Sequence, residues 1–449
     1  MRGSVADFYD GKSIFICGSS GFIGKVLLEK LLYSCPGIEY VYILIRDKKA
    51  DFLKRMKTFL DKPIFERLKK ENPSALDKII PIKGDLTLKN LGLTPEDEKL
   101  LIDKVSIVIH LAATIRFKEP IDAMFNINVC GTERLLTLCK RMNNIRKFVY
   151  VSTAYSNSEH KVIEERIYPA PISINEMKKL IINGLSDSQT EKLLNGKPNT
   201  YVLTKSIAEE YVALNHGHVP AIIVRPAIVS SAVAEPLPGW VDNWGGASGL
   251  IMSVLEGLND MLLARSTHVL DLIPVDYVAN LIIVAATKDS FDDVPVYHSS
   301  TSELNPLNYK LLKYVTTAKR ISVNNNNRFT KPQPKLTYTM SRSKMELITL
   351  FHKTLPAHVV DLYLHLRGKD KKYTKLLKRG LLLREVLNPF TSNSWVIHAQ
   401  KCIELEESLS DSDRAIFPVN PSNIDWKEYL NSYINGMYKY LMSRTQVKN

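Results

Sequence analysis

Short runs of apolar residues recur along the first 300 residues, and between them apolar positions are spaced three or four apart. Strands that are buried on both faces of a parallel sheet have such near-continuous apolar runs. The predicted strands span residues 13–17, 40–45, 78–84, 105–113, 147–152 and 221–227. The segments between them, such as FIGKVLLEKLLYS, have helical spacing. This alternation predicts an α/β fold built on a doubly wound parallel sheet.

The pattern changes after residue 300. The stretch ISVNNNNRFTKPQPK has an asparagine run, two prolines and no periodicity, which is typical of a linker or long surface loop. We therefore predict a first domain of residues 1–320, a linker of residues 321–342 and a mainly helical domain of residues 343–449. In the last of these, residues 345–366 have helical apolar spacing, interrupted by Pro356.

The chain is basic, with a formal net charge of +13 over 449 residues. Such an excess favours an anionic partner, and charge alone leaves nucleic acid, a membrane surface and a phosphate-bearing ligand open. A local cluster comprises Arg367, Lys369, Lys371, Lys372, Lys375, Lys378, Arg379 and Arg384. We interpret it either as a contact for an anionic membrane leaflet or as a solvated helix face. For the neighbouring residues 345–366, three interpretations are open: the segment lies on a membrane, covers a substrate tunnel or packs as an ordinary helix.

Five scattered cysteines with no C-x-x-C pair favour a reducing compartment, and we expect neither a disulfide framework nor a metal site. A membrane-spanning helix needs roughly 18 to 20 consecutive apolar residues, and no run reaches that length. The longest such stretch, residues 272–287, contains Asp276 and Asn280, so we predict a buried segment of the fold.

Three glycines follow the first predicted strand, at Gly18, Gly21 and Gly24 in FICGSSGFIG. In a nucleotide-binding turn the first glycine permits the tight turn, the second lets a pyrophosphate approach and the third lets the helix lie against the sheet. A strand-to-helix turn without a ligand is the alternative. The position directly after the first buried strand favours nucleotide binding.

The residue that ends the second strand distinguishes the two nicotinamide cofactors. An acid at this point binds a ribose 2′-hydroxyl, whereas an arginine accommodates a 2′-phosphate. The residue is Arg46, followed by Asp47, Lys48 and Lys49. This composition favours NADP over NAD, and a solvated basic loop is the alternative.

The strongest chemical signal is YVLTK, in which Tyr201 and Lys205 are four residues apart and share a helix face. A nearby ammonium is expected to lower the pKa of the phenol, so that it can donate a proton to an oxygen that gains charge. The strand end VSTAYS supplies Ser152 and Thr153, either of which has a hydroxyl that can be a second donor.

Together, GSSGFIG, GDL, HLAA, NVCGT, VSTAYS, YVLTK and RPA resemble the extended short-chain dehydrogenase/reductases, which have a Rossmann-type sheet. More narrowly, YILIRDKK, IVIHLAATIRF, FVYVSTAYSN and EPLPGWVDNWGGASGL resemble the alcohol-forming fatty acyl-CoA reductases. The C-terminal LPAHVVDLYLHL, FTSNSW and LSDSDRAIF are similar to that family's own C-terminal domain. Some stretches look closest to the moth pheromone-gland branch.

The resemblance implies NADPH as cofactor, fatty acyl-CoA as substrate, and no metal or nucleic acid. It implies a catalytic set of Thr153, Tyr201 and Lys205, with Thr153 ahead of Ser152 because the family's hydroxyl is second in the pair. The implied cofactor-binding residues are Gly18, Ser20, Gly21, Phe22, Ile23, Gly24, Arg46, Asp85, Leu86, Ala112, Asn128, Lys205, Arg225 and Pro226.

The implied reaction is reduction of the thioester to an aldehyde and then to an alcohol, in pheromone or wax-type lipid synthesis. The implied location is the cytosolic face of the endoplasmic reticulum membrane, with the cytoplasm as the alternative. An aldehyde-releasing reductase remains open, as does a sterol or nucleotide-sugar dehydrogenase or epimerase, although the latter leaves the C-terminal third unexplained. A dinucleotide-sensing regulator is the non-enzymatic alternative. Acyl chain length and oligomeric state are left open.

Overall fold

The computed structural model describes residues 4–46, 52–115, 119–290, 293–325 and 336–442. Its strands are β1 Ser13–Cys17, β2 Val41–Ile45, β3 Ile79–Lys83, β4 Val105–His110, β5 Lys147–Val151, β6 Val162–Ile163, β7 Ala221–Pro226, β8 Ile228–Ser230, β9 Met261–Leu263, β10 Leu272–Pro274, β11 Val296–Ser299, β12 Thr337–Thr339 and β13 Val396–Ile397.

The α-helices are α1 Val5–Tyr9, α2 Phe22–Ser34, α3 Phe52–Leu60, α4 Glu66–Glu71, α5 Pro95–Lys104, α6 Ile121–Phe125, α7 Gly131–Cys139, α8 Ile174–Ile182, α9 Asp187–Leu194, α10 Thr200–Asn215, α11 Ala247–Leu255, α12 Val275–Ala286, α13 Tyr309–Asn325, α14 Arg342–Thr349, α15 Leu355–Leu366, α16 Tyr373–Thr391, α17 Gln400–Glu407, α18 Asp411–Ile416 and α19 Trp426–Gly436. Three π-helical turns lie at Asn126–Cys130, Leu350–Thr354 and Met437–Met442.

Seven strands form one parallel sheet in the order β11-β7-β5-β4-β1-β2-β3. Ile16 of β1 is paired with Ile43 of β2 and Ile109 of β4. The strand order reverses between β1 and β4, and in such sheets ligands bind beyond the carboxyl ends of the strands at that point. The predicted doubly wound α/β fold is confirmed.

All six predicted strands of the sheet are present, but the seventh, β11, was not predicted. His298 and Ser299 in this strand are polar and buried, so the strand lacks the continuous apolar run of its neighbours. The fourth strand is shorter than predicted, because it ends at His110 and residues 111–113 leave the sheet.

The predicted buried segment of residues 272–287 consists of β10 followed by α12. Nearly every side chain of α12 is buried, and the helix packs against α2 beneath the sheet. Among the residues that the structure describes, none of the helices has the length and apolar character that crossing a bilayer requires.

The C-terminal helices are bound closely to the first domain. The Tyr429 hydroxyl of α19 donates to Ser230 Oγ at 2.6 Å, and the hydroxyls of Tyr433 and Ser248 are also 2.6 Å apart. Strands β12 and β13 pair in parallel with β9 and β6. In the predicted linker, α13 continues through Asn325 and residues 326–335 lie outside the described ranges, so the domain boundaries stay a prediction.

Candidate active site

The turn between β1 and α2 brings two stretches of backbone into close contact. Gly18 has a φ of 101°, and a Cβ at this residue would lie 2.7 Å from the backbone nitrogen of Ala112. A Cβ at Gly24 would overlap the carbonyl oxygen of Gly18 and lie 2.7 Å from Ser19 Cα. Both positions therefore require glycine, the first for its conformation and both for space.

The amino terminus of α2 opens on this turn. Gly21 is the N-cap residue and provides no side-chain hydrogen bond to the first turn of this 13-residue helix. Lys25 Nζ donates to the carbonyl oxygens of Ser20, at 2.7 Å, and Gly21, at 2.8 Å, and pairs with Asp242. Lys25 thus fixes the turn from behind, a role that sequence reasoning did not predict. An uncapped helix amino terminus beside a glycine turn is suited to binding phosphate.

A cleft of about 380 Å³ lies beyond the carboxyl ends of β1, β2 and β4. It is lined by seven of the predicted cofactor-binding residues, which are Gly18, Ser20, Gly21, Arg46, Asp85, Leu86 and Ala112. Phe22, Ile23 and Gly24 support the turn without lining the cleft, and the ring of Phe22 stacks on Trp240 with centroids 5.3 Å apart.

One cleft residue, Arg55, was missed by sequence reasoning. It lies on α3, and its guanidinium donates a hydrogen bond to the backbone carbonyl oxygen of Arg46. Lys48 and Lys49, which the sequence grouped with Arg46, lie outside the described residues. Two arginines therefore meet in the cleft at the end of β2. A nine-residue separation across a loop matches no helix or strand period, so no sequence pattern indicated this pair.

The opposite part of the cleft is formed by the loop after β3. Asp85 Oδ1 accepts hydrogen bonds from the backbone nitrogen and the hydroxyl of Thr87, both at 2.9 Å. The carbonyl oxygen of Leu86 accepts one from Arg134 at 2.8 Å. These contacts hold both predicted adenine-site residues in a fixed loop.

The catalytic candidates lie where α10 crosses the end of β5. Lys205 is 2% exposed, and its Nζ donates to the carbonyl oxygen of Val151 at 2.7 Å and lies 4.1 Å from the centroid of the Tyr150 ring. Since Val151 directly precedes Ser152 and Thr153, this bond brings the helix that bears Tyr201 to the two hydroxyl residues. The predicted catalytic side chains thus lie on α10 and directly after β5, and this hydrogen bond joins the two elements.

Both hydroxyl residues are largely buried. Thr153 Oγ1 accepts a long hydrogen bond, 3.4 Å, from the backbone nitrogen of Tyr155. Ser152 Oγ has no hydrogen-bond partner among the described residues. A buried hydroxyl without a partner is costly, so the strand end has unused hydrogen-bonding capacity next to the predicted reacting groups.

Burial dominates the titration of the pair on α10. Removal from water lowers the pKa of Lys205 to about 7, and the charge of Glu209 opposes this shift. Burial also raises the pKa of the Tyr201 phenol above its ordinary range, with a smaller contribution from Glu209. The net shift of the Tyr201 pKa is therefore upward and not downward as expected from the nearby lysine, because desolvation is its largest cause.

Asn128 connects the cleft to the catalytic helix. Its side-chain oxygen accepts from the backbone nitrogen of Thr114 at 2.8 Å, and its side-chain nitrogen donates to Thr204 Oγ1 at 3.0 Å. Thr204 lies between Tyr201 and Lys205 on α10. Asn128 does not line the cleft, but it links the loop after β4 to the helix that bears the catalytic candidates.

Arg225 and Pro226 lie away from the cleft. The guanidinium of Arg225 is fully buried, pairs with Glu209 at 2.7 Å and lies 3.1 Å from His298 Nε2. The carbonyl oxygen of Pro226 accepts from the backbone nitrogen of Ala154 at 2.9 Å. The structure therefore gives both residues supporting contacts beneath the site, and their binding to cofactor stays a prediction.

The arrangement of the His, Cys, Asp and Glu side chains in the described part of the chain bears on metal and thiol chemistry. There, no group of three or more His, Cys, Asp or Glu side chains is arranged to hold a metal ion. All five cysteines are buried, and burial raises the thiol pKa, for example to about 12 at Cys35. A thiol with a raised pKa is a poor nucleophile.

Comparison with known proteins assigns the family. A family model described as male sterility protein, and named as NAD-binding, matches residues 16–282, and a second with the same description matches residues 352–444. Fatty acyl-CoA reductase 1 of Homo sapiens is 35% identical over 452 residues, which cover 98% of this chain and 86% of the relative. The chain belongs to the fatty acyl-CoA reductase family. Fatty acyl-CoA reductase 2 of Mus musculus is 34% identical with the same coverage.

Solved structures show the same fold as this fatty acyl-CoA reductase family member. The terminal R domain of the myxalamid PKS-NRPS pathway superposes with a TM-score of 0.66 at 19% identity, covering 98% of this chain and 93% of the other. Gre2 of Candida albicans, solved in complex with NADPH, superposes with a TM-score of 0.51 at 13% identity, covering 95% and 99%. The likeness to the moth branch stays a prediction.

We expect the buried amine of Lys205 to make stability depend on pH. Its pKa is about 7 in the folded protein and near 10.5 when unfolded, so between these values the unfolded chain binds the extra proton. Stability of the wild type should therefore rise with pH in this window, by roughly 1 kcal/mol for each unit, relative to Lys205→Met. Thermal unfolding at pH 7, 8 and 9 tests this, and a constant difference between the two proteins would contradict it.

We expect Arg225 to act through Glu209. Arg225→Met leaves Glu209 buried without its partner, which costs about 3–5 kcal/mol of stability. The double variant Arg225→Met/Glu209→Leu removes both charges and should unfold at a higher temperature than the single variant. If Arg225→Met instead retains wild-type stability and loses only cofactor affinity, the supporting role is wrong.

Proposed function

We propose that this protein reduces long-chain fatty acyl-CoA to fatty alcohol, with NADPH as reductant and an aldehyde between the two hydride transfers. The observation that carries the proposal is the hydrogen bond from Lys205 to Val151, which brings Tyr201 to the Ser152–Thr153 strand end. Family membership across both domains supports the substrate class, because the relatives are named for fatty acyl-CoA reduction.

The cleft fits a phosphate-rich dinucleotide. Gly18, Ser20 and Gly21 would hold the pyrophosphate, since the two glycines add no side chain to the cleft and the helix amino terminus is uncapped. Arg46 and Arg55 would hold the 2′-phosphate, which favours NADPH over NADH. Asp85 and Leu86 would lie at the adenine, and Lys205 at the nicotinamide ribose.

When bound, NADPH supplies the hydride in both reductions. In the first, the hydroxyls of Tyr201 and Thr153 donate hydrogen bonds to the carbonyl oxygen of the thioester as it gains negative charge. The raised pKa of Tyr201 keeps its phenol protonated at neutral pH, so it is present as a donor. Expulsion of the CoA thiolate leaves an aldehyde in the same position.

In the second reduction, Tyr201 gives its proton to the alcohol oxygen. The phenolate that remains lies on the same helix face as Lys205, whose ammonium stabilises it. The pKa of Lys205, about 7, makes this amine able to gain or lose a proton near neutrality. The overall reaction uses two NADPH and two protons for each acyl-CoA, and yields one alcohol and one CoA thiol.

Two further points belong to the proposal. A reductase that releases the aldehyde would use the same residues, so the product and not the site distinguishes the two outcomes. We also propose the cytosolic face of the endoplasmic reticulum as the location, on the family resemblance.

We expect Tyr201→Phe to abolish reduction, because the variant lacks the proton donor but keeps the ring packing. Loss of at least 100-fold in kcat is expected for removal of a general acid. The measurement is gas chromatography of products from palmitoyl-CoA and NADPH, with NADPH binding followed by fluorescence. The wild type should yield alcohol. Tyr211→Phe, on the same helix, is the matched control and should retain full activity. Substantial turnover by Tyr201→Phe would exclude Tyr201 as the acid.

We expect Arg46→Ala and Arg55→Ala each to raise the KM for NADPH by tenfold or more and to leave the KM for NADH nearly unchanged. The reason is that each variant removes a charge that would meet the 2′-phosphate, which NADH lacks. Lys57→Ala removes an exposed cation from the same helix as Arg55 and should change neither constant. Equal effects on both cofactors would show that the arginines only shape the cleft.

A further inference from the structure

The segment from α14 through the π-helical turn to α15, Arg342–Leu366, exposes an unusual number of apolar side chains. Among the described residues, 23 large apolar side chains are exposed, and 12 of them lie between Leu347 and Leu382. Those of the helical segment are Leu347, Leu350, Phe351, Leu355, Val359, Val360, Leu362, Tyr363 and Leu366. Isolated exposed apolar residues are normal in proteins, but a contiguous set marks an interaction site.

The helical segment is amphipathic, but its apolar face is turned outward and its polar face packs on the protein. Leu347, Phe351, Leu355, Val359, Leu362 and Leu366 recur every three or four residues, so they form one stripe along the outside. We call it the outer stripe. The opposite face, which packs on the protein, has polar side chains at Thr349, Lys353 and Asp361. A helix in water normally buries the apolar side and exposes the polar one.

Specific contacts fix this orientation. Thr349 Oγ1 accepts from the guanidinium of Arg384 at 2.8 Å, and Lys353 pairs with Asp260 and donates to the carbonyl oxygen of Gly257. The helix cannot rotate the outer stripe inward without breaking these bonds. The fold therefore holds the outer stripe on the outside of the protein.

Asp361 fixes the next turn of chain in the same way. Its carboxylate accepts hydrogen bonds from the backbone nitrogens of Lys372, Tyr373 and Thr374 and from the Thr374 hydroxyl, all within 3.1 Å. These bonds lower the pKa of the carboxyl group, so it is ionised at neutral pH. They hold the start of α16 against α15, beside the carboxyl end of the outer stripe.

The turn that is held in this way is strongly basic. Residues 367–379 contain seven lysines or arginines and one acid, Asp370, and all seven basic residues are exposed. Arg384, which the sequence grouped with them, is buried against Thr349 and does not belong to the surface. We call residues 367–379 the basic turn. Its positive charges lie next to the carboxyl end of the apolar outer stripe.

We propose that the outer stripe and the basic turn together form a docking surface for an anionic phospholipid bilayer. An interfacial helix of this kind lies in the membrane plane with its apolar face at the boundary of headgroups and acyl chains, and adjacent lysines meet the anionic headgroups. A second copy of the chain fits less well, because a symmetric pair would bring two basic turns close to one another. A bilayer satisfies both parts of the surface.

The test is flotation of the purified full chain with vesicles of phosphatidylcholine alone and with 30% phosphatidylserine. Wild-type protein should float with the mixed vesicles and at least about tenfold less with phosphatidylcholine alone, because each basic residue near an anionic surface adds to the affinity. Lys369→Glu/Lys371→Glu/Lys375→Glu should remove the preference for phosphatidylserine. Phe351→Gln/Val359→Gln/Leu362→Gln should reduce flotation with both vesicles.

Ile182→Gln/Leu214→Gln is the matched control, because these two apolar residues lie elsewhere on the surface and are at least as exposed. It should bind vesicles as the wild type does. All variants should retain the reductase activity of the wild type toward soluble substrate, since the changed residues lie outside the active site. Wild-type protein that stays at the bottom of the gradient would overturn the proposal. So would a dimer that only the outer-stripe variant dissociates, with vesicle binding unchanged.

Discussion

The arrangement of the active site depends on one buried hydrogen bond, from Lys205 Nζ to the carbonyl oxygen of Val151. It joins the middle of α10 to the last residue of β5. Because Tyr201 is one helical turn before Lys205 and Ser152–Thr153 directly follow Val151, this single contact brings all the predicted reacting groups together. The cost is a lysine removed from water, which accounts for its depressed pKa.

A second set of buried contacts supports this junction from both sides. Asn128 links the loop after β4, which lines the cleft, to Thr204 in the same turn of α10. Beneath, Arg225 on β7 pairs with Glu209, one turn beyond Lys205. Glu209 contributes to the pKa of both Tyr201 and Lys205, so the buried ion pair helps to set the electrostatic environment of the reacting groups. The cofactor cleft and the catalytic helix are thus one connected structure.

Sequence patterns predicted the features that are determined by residues close together in the chain. The six strands were predictable because their residues form apolar runs, and the glycine turn because Gly18 and Gly24 are needed where backbones meet. The strand β11 was not predictable, because the hydrogen-bond partners of its buried His298 come from distant parts of the chain and leave no local sequence pattern. Arg55 joins Arg46 only in the folded chain. Periodicity likewise predicted a helix near residues 345–366 but could not show which face is turned outward.

Helix α16 gives the C-terminal region a direct relation to the chemistry. It begins at Tyr373 in the basic turn, and near its end the ring of Phe390 packs edge-on against Tyr155 at 4.9 Å. Tyr155 is two residues beyond Thr153 and also contacts Trp395. With a rise of about 1.5 Å per residue, the helix extends about 25 Å from Tyr373 at the proposed lipid surface to Phe390 at the residues that follow β5. A substrate whose acyl chain partitions into lipid would thus meet a site connected to the proposed membrane surface through a single helix.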